Sequence, residues 1–174
     1  MLGRDWVAMS LEPKEIAKAA GFVLLCLAAG AIGSVFTFPS LAPWYATLNK
    51  PAFTPPDWVF GPVWTTLYVL MGIAAYLVYR EGAGKKEAAG AGKVSAALAL
   101  FGVQLALNVL WSFLFFGLRS PLYGLAGIIA LWFAILFTVM KFYGISKTAA
   151  LLLAPYLVWV SFAGVLNFYV LAMN

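Results

Sequence analysis

Histidine is absent from this sequence, cysteine occurs once, and charged residues fill only 10% of its 174 positions. Without histidine there is no histidine-ligated haem, no histidine-bearing zinc site and no Ser-His-Asp triad. Cys26 has no partner within the chain, so no internal disulfide forms, and it reads as a small packing residue. A soluble domain carries roughly a quarter charged residues; this chain is 64% hydrophobic instead. The charge-free runs are Ala19–Asn49, Trp58–Tyr79, Val94–Leu118, Ser120–Met140 and Thr148–Asn174, each at least 21 residues long. A helix rises ~1.5 Å per residue, so ~20 apolar residues cross a hydrocarbon core of about 30 Å. The expected fold is an all-α membrane protein, a single domain over residues 1–174 with five transmembrane helices. No acid or base lies inside any run, which argues against ion-coupled transport and against hydrolytic chemistry.

The net charge of +5 does not point to nucleic acid, because the basic residues sit at the ends of the apolar runs and form no single patch. With five spans, nine of the eleven Lys and Arg residues fall on the side of the N-terminus, and only Lys50 and Arg119 fall on the other. If the membrane obeys the positive-inside rule, the N-terminus is cytoplasmic. The first apolar run is long enough to span and follows a polar lead, so no cleavable signal peptide is expected.

Along the chain, Trp6 reads as an interfacial ring and Ser10 as an N-cap ahead of Pro13. Helix 1 is expected to reach about Phe38, with Ala29, Gly30, Gly33 and Ser34 allowing close helix approach. Pro39, Pro43, Pro51, Pro55 and Pro56 forbid a continuous helix through Pro39–Asp57. That loop is long, and its Trp44, Tyr45 and Phe53 are expected to fold back over the mouth of the bundle. Asp57 is a suitable N-cap for helix 2, which is expected to end near Tyr79. The Gly-bearing, charged stretch Arg80–Lys93 reads as a flexible connector. Short turns at 118–121 and around Gly144 make helices 3, 4 and 5 antiparallel neighbours. Pro155 is expected to kink helix 5. An odd helix count and the lack of an internal repeat do not suit an inverted-repeat transporter.

The chain holds seven Trp, eight Tyr and fourteen Phe. Trp44, Trp58 and Tyr79 lie near span ends, where an aromatic ring with a polar tip is stable. Trp64, Trp111, Trp132 and Trp159 lie deeper, where an indole N–H needs a partner or a wet cavity. On helix 2, Phe60, Trp64, Leu67, Tyr68 and Met71 form one stripe; on helix 5, Tyr156, Trp159, Ala163, Leu166 and Asn167 do the same. Two facing stripes suit either ordinary bundle core or a slot for a flat aromatic guest. Gln104, Asn108 and Ser112 share a face of helix 3. Gln104 is expected to bond across helices, while Asn108 and Asn167 suit either that role or ligand contact.

The run WYATLNKPAFTPPDWVFGPVWTTLYVLMG (Trp44–Gly72), with QLALNVLWSFLFFG (Gln104–Gly117) and PYLVWVSFAGVLN (Pro155–Asn167), resembles the translocator protein family, also called tryptophan-rich sensory proteins or peripheral benzodiazepine receptors. The resemblance covers nearly the whole chain. It implies a homodimeric five-helix membrane protein whose ligand cavity lies under the first loop. It implies a receptor or sensor for protoporphyrin IX and related hydrophobic ligands, with no resident cofactor or metal. By motif position, Trp64 and Trp159 would take part in light- and oxygen-dependent porphyrin breakdown. Ser34, Thr37, Phe60, Gly61, Val63, Asn108, Ala163 and Leu166 would join them on the cavity wall. Lys50 or Arg119, on the loop side, would be available to pair with propionates. A passive carrier of porphyrins, sterols or other lipophiles is the alternative implied function. The family's proposed cholesterol motif lacks its basic residue here: none follows Tyr169, so sterol recognition through that segment is not expected.

Overall fold

The computed structural model describes residues 12–83 and 88–174. The expectations for Trp6 and Ser10 lie outside the described residues. The five apolar runs form helices α1 (Pro13–Leu41), α2 (Asp57–Ala83), α3 (Ala88–Ser112), α4 (Pro121–Tyr143) and α5 (Lys147–Met173). All five are long and apolar enough to cross a membrane. Among the described residues there is no strand; a short 3-10 turn, Tyr45–Thr47, interrupts the first loop.

Local chemistry sets most of the boundaries. Pro13 opens α1 in its first turn, where a missing N–H has no intrahelical partner to lose. Ser120 and Ser146 cap α4 and α5 by accepting from the backbone N–H groups of Tyr123 and Ala149. Arg119, at φ 51°, takes the left-handed turn before α4. Two expected boundaries are corrected. α1 continues past Phe38 through Pro39 to Leu41, because a proline so near the helix end removes little of the ladder. Helix also claims most of the expected connector Arg80–Lys93, where four alanines accompany the four glycines and α2 and α3 extend from their apolar spans. α5 runs unbroken through Pro155.

The helices pack in a ring: α1 against α2, α2 against α5, α5 against α4, α4 against α3, and α3 against α1. Glycines let the walls approach. A Cβ on Gly72 would come within 2.5 Å of the Val23 Cα, and one on Gly30 would strike the Tyr68 ring. Gly124 faces Phe115 and the Asn167 side chain, and Gly127 faces Leu114. These small residues are taken up by packing within the chain. Away from the loop end, Cys26, Met71, Leu131, Ile135 and Leu153 are fully buried in the core.

Candidate ligand-binding site

At its loop end the ring is not filled. α1, α2, α3 and α5 surround a cavity of about 430 Å³, roofed by the first loop at Tyr45. That size falls within the ~300–1,000 Å³ of small-molecule sites.

The roof is held by aromatic contacts and an unusual helix end. α3 finishes in a π-helical turn, Phe113–Gly117, in which the Leu118 N–H donates to the Phe113 carbonyl at 2.8 Å. The Ser40 hydroxyl donates to the Phe116 carbonyl at 2.8 Å and is buried there. The widened turn places Phe115 and Phe116 edge-on to each other at 4.8 Å, under the loop. Trp44 packs on Phe115 at 5.4 Å and Tyr45 on Phe116 at 5.6 Å. Phe53 meets Tyr169 of α5 at 5.4 Å. The loop therefore does fold back over the mouth. Burial, aided by the charge of Asp57, pushes the Tyr45 phenol up to about 12, so it meets the cavity as a neutral group.

The two stripes divide by depth. Phe60, Trp64 and Tyr68 of α2 and Trp159, Ala163, Leu166 and Asn167 of α5 reach the cavity wall. Leu67 and Met71, nearer the other membrane face, are packed core. Trp64 stacks on Tyr68 at 5.6 Å and stands edge-on to Tyr156 at 6.2 Å. Trp159 stands edge-on to Phe60 at 5.7 Å. Below them, the Tyr68 hydroxyl donates to the Asn108 carbonyl oxygen, and the Asn108 amide donates to the Tyr156 hydroxyl at 3.0 Å. This buried trio ties α2, α3 and α5 together at the cavity floor. Asn167 likewise joins elements, since it donates to the Pro121 carbonyl at 2.7 Å and accepts from the Trp111 indole at 3.5 Å.

Ser34, Thr37, Gly61 and Asn108 also line the cavity. Val63 does not; it packs against the hydrophobic core, because it lies off the inward stripe by one residue. The hydroxyls of Ser34 and Thr37 donate to carbonyls of their own helix, which leaves few free donors on a mostly apolar wall. Ala31, Phe38, Gly61 and Thr65 on the wall are exposed, so the cavity reaches the bundle surface where α1 and α2 diverge.

Two expectations are corrected. Neither Lys50 nor Arg119 is on the wall. The Lys50 ammonium donates to the Tyr45 carbonyl at 2.8 Å and sits over that ring, bracing the loop. Gln104 makes no bond across helices; both of its amide atoms are buried without a partner. Among the deep indoles, Trp111 and Trp132 find partners, the latter in Ser161 at 2.7 Å, whereas the Trp159 N–H is buried and unpartnered. Sequence reasoning missed the wall positions of Tyr45, Asp57 and Phe115. The first two were visible as polar residues of the Pro-rich loop; Phe115 depends on the π turn, for which the sequence carries no marker.

A model of the TspO/MBR family matches residues 22–173. The tryptophan-rich protein TspO of Chlorobaculum tepidum is 49% identical over 162 residues, covering 92% of this chain and 98% of its own length. The human translocator protein is 41% identical over 152 residues, covering 87% of each chain. The tryptophan-rich sensory protein of Cereibacter sphaeroides is 39% identical over 132 residues, covering 75% of this chain and 77% of its own. With its five apolar helices, the chain is an integral, multi-pass membrane protein, and it belongs to the TspO/MBR family.

Proposed function

We propose that this chain is a membrane receptor for a flat hydrophobic ligand of the porphyrin class, held between Trp64 and Trp159 under the first loop. The observation that carries this reading is an aromatic cavity of about 430 Å³ with both indoles on its wall. Ring faces on α2 and α5 supply stacking, worth about 0.5–1.5 kcal/mol per pair beyond apolar burial. The sequence has no histidine, the common axial ligand of a haem iron, which favours a metal-free macrocycle. Where light and oxygen are present, the indoles serve as oxidisable side chains beside the excited porphyrin. The charge distribution supports a cytoplasmic N-terminus, and the functional unit is a homodimer.

Quenching of tryptophan fluorescence by protoporphyrin IX, titrated into purified protein, tests the binding. Saturable quenching is expected, and linear, non-saturable quenching would overturn the reading. Trp64→Phe and Trp159→Phe are each expected to retain binding within a few-fold and to lose light-driven loss of the porphyrin absorbance. Unchanged photolysis in both variants removes the indoles from the chemistry. Porphyrin flux into sealed vesicles, absent for a receptor, distinguishes a carrier.

A further inference from the structure

The cavity wall carries one formal charge, and it is negative. Asp57 lines the mouth as the first residue of α2. No cation neutralises it: among the described residues the one ion pair is Lys18–Glu15, on the far side of the membrane. Lys50, the nearest basic residue in sequence, keeps its charge but is held on the Tyr45 carbonyl and over that ring, off the cavity wall. Tyr45, whose phenol feels the Asp57 charge, is neutral and offsets nothing. The α2 N-terminus contributes only roughly half a positive charge, and Asp57 is the charged side chain that a guest on the wall meets directly.

We propose that Asp57 sets the charge preference of this cavity, admitting neutral or cationic flat aromatic guests in preference to guests that place a carboxylate at the loop end. This rests on the aromatic-cavity reading above and refines it. A porphyrin bearing free propionates then binds against the Asp57 field, or with its acid edge turned away from it. Its ester binds without that opposition. Asp57 is exposed, so water and salt screen the effect, which is a matter of several-fold in affinity.

The test uses three probes on one macrocycle: protoporphyrin IX, its dimethyl ester, and its bis(aminoethyl)amide, which is cationic. Each is titrated at low ionic strength into the purified full chain and into Asp57→Asn, with tryptophan quenching as the readout. In Asp57→Asn the dicarboxylate is expected to bind about threefold to tenfold tighter and the diamine weaker by a similar factor, with the ester within twofold. Both shifts should shrink at about 0.5 M salt. Arg119→Gln, a charge change on the same membrane side but off the wall, should leave the three affinities within twofold. Equal response of all three probes to Asp57→Asn, or an equally large and opposite response to Arg119→Gln, overturns the role of Asp57 while the cavity reading stands. Failure of all three probes to bind the unaltered chain overturns both.

Discussion

Gln104 and Asn108 occupy the same face of α3, one turn apart, and both are almost fully buried. Their surroundings make them opposites. Asn108 bridges Tyr68 and Tyr156, whereas Gln104 has neither a donor nor an acceptor within reach. A buried polar group without a partner costs about 1–3 kcal/mol. Gln104→Leu is therefore expected to raise the midpoint of thermal unfolding in detergent by a few degrees, and Asn108→Leu to lower it by at least as much. Melting curves of the two variants decide the matter; a lower midpoint for Gln104→Leu would mean that its amide is bonded in the native protein. The opposite signs also mark a limit of the sequence. Side-chain type and helical phase place both amides inside the bundle, but they do not say where the hydroxyls of α2, α4 and α5 point. Trp111 and Trp159 show the same limit, one indole bonded and the other not.

At the scale of the element, the α1–α2 crossing is closest at Gly72. An added Cβ there would meet the Val23 backbone at 2.5 Å, and backbone cannot swing aside as a side chain can. Gly61, three turns earlier on α2, borders the cavity, and a Cβ there would meet nothing within 4 Å. Gly72→Ala is expected to force the helices apart and destabilise the bundle by about 1–3 kcal/mol. Gly61→Ala should be neutral or slightly stabilising through helix propensity. Thermal melts of the pair in one detergent check this, and equal midpoints would show that the crossing gives way. The five spans were legible because a charge is so costly in hydrocarbon that its absence over 21 or more residues marks each helix. Helix ends outside the hydrocarbon answer to weaker preferences. This is why α1 overran Phe38 and helix filled most of Arg80–Lys93. The π turn at Phe113–Gly117 is a tertiary adjustment, fixed by Ser40 reaching across from α1.

The whole molecule is closed by a latch between its first loop and the end of α5. The Asn49 backbone N–H donates to the Asn174 side-chain oxygen at 2.9 Å, and the Asn174 amide donates back to the Asn49 carbonyl at 2.9 Å. The same amide donates to the Val170 carbonyl at 2.8 Å, anchoring the latch to α5. The Asn49 side chain adds a bond to the Met173 carbonyl at 3.2 Å. The three bonds to Asn49 join residues more than a hundred apart in sequence, and together with the Phe53–Tyr169 contact they hold the roof of the cavity to the wall that carries Trp159. The two asparagines are not equivalent. Asn174→Ala removes both bonds to the Asn49 backbone, while Asn49→Ala removes only the one to Met173. At about 0.5–1.5 kcal/mol per hydrogen bond, the loss of two bonds corresponds to about fivefold to 150-fold easier opening and the loss of one to about twofold to twelvefold. Amide hydrogen exchange over residues 45–54 should therefore quicken about tenfold in Asn174→Ala and clearly less in Asn49→Ala. Dissociation of a bound porphyrin should accelerate in the same order. Exchange that is unchanged in Asn174→Ala would mean that the aromatic contacts of Trp44, Tyr45 and Phe53 hold the roof without help. Loop exchange and ligand release that respond in different orders would mean that the guest leaves where α1 and α2 diverge, through the exposed wall at Ala31 and Thr65, and not past the roof.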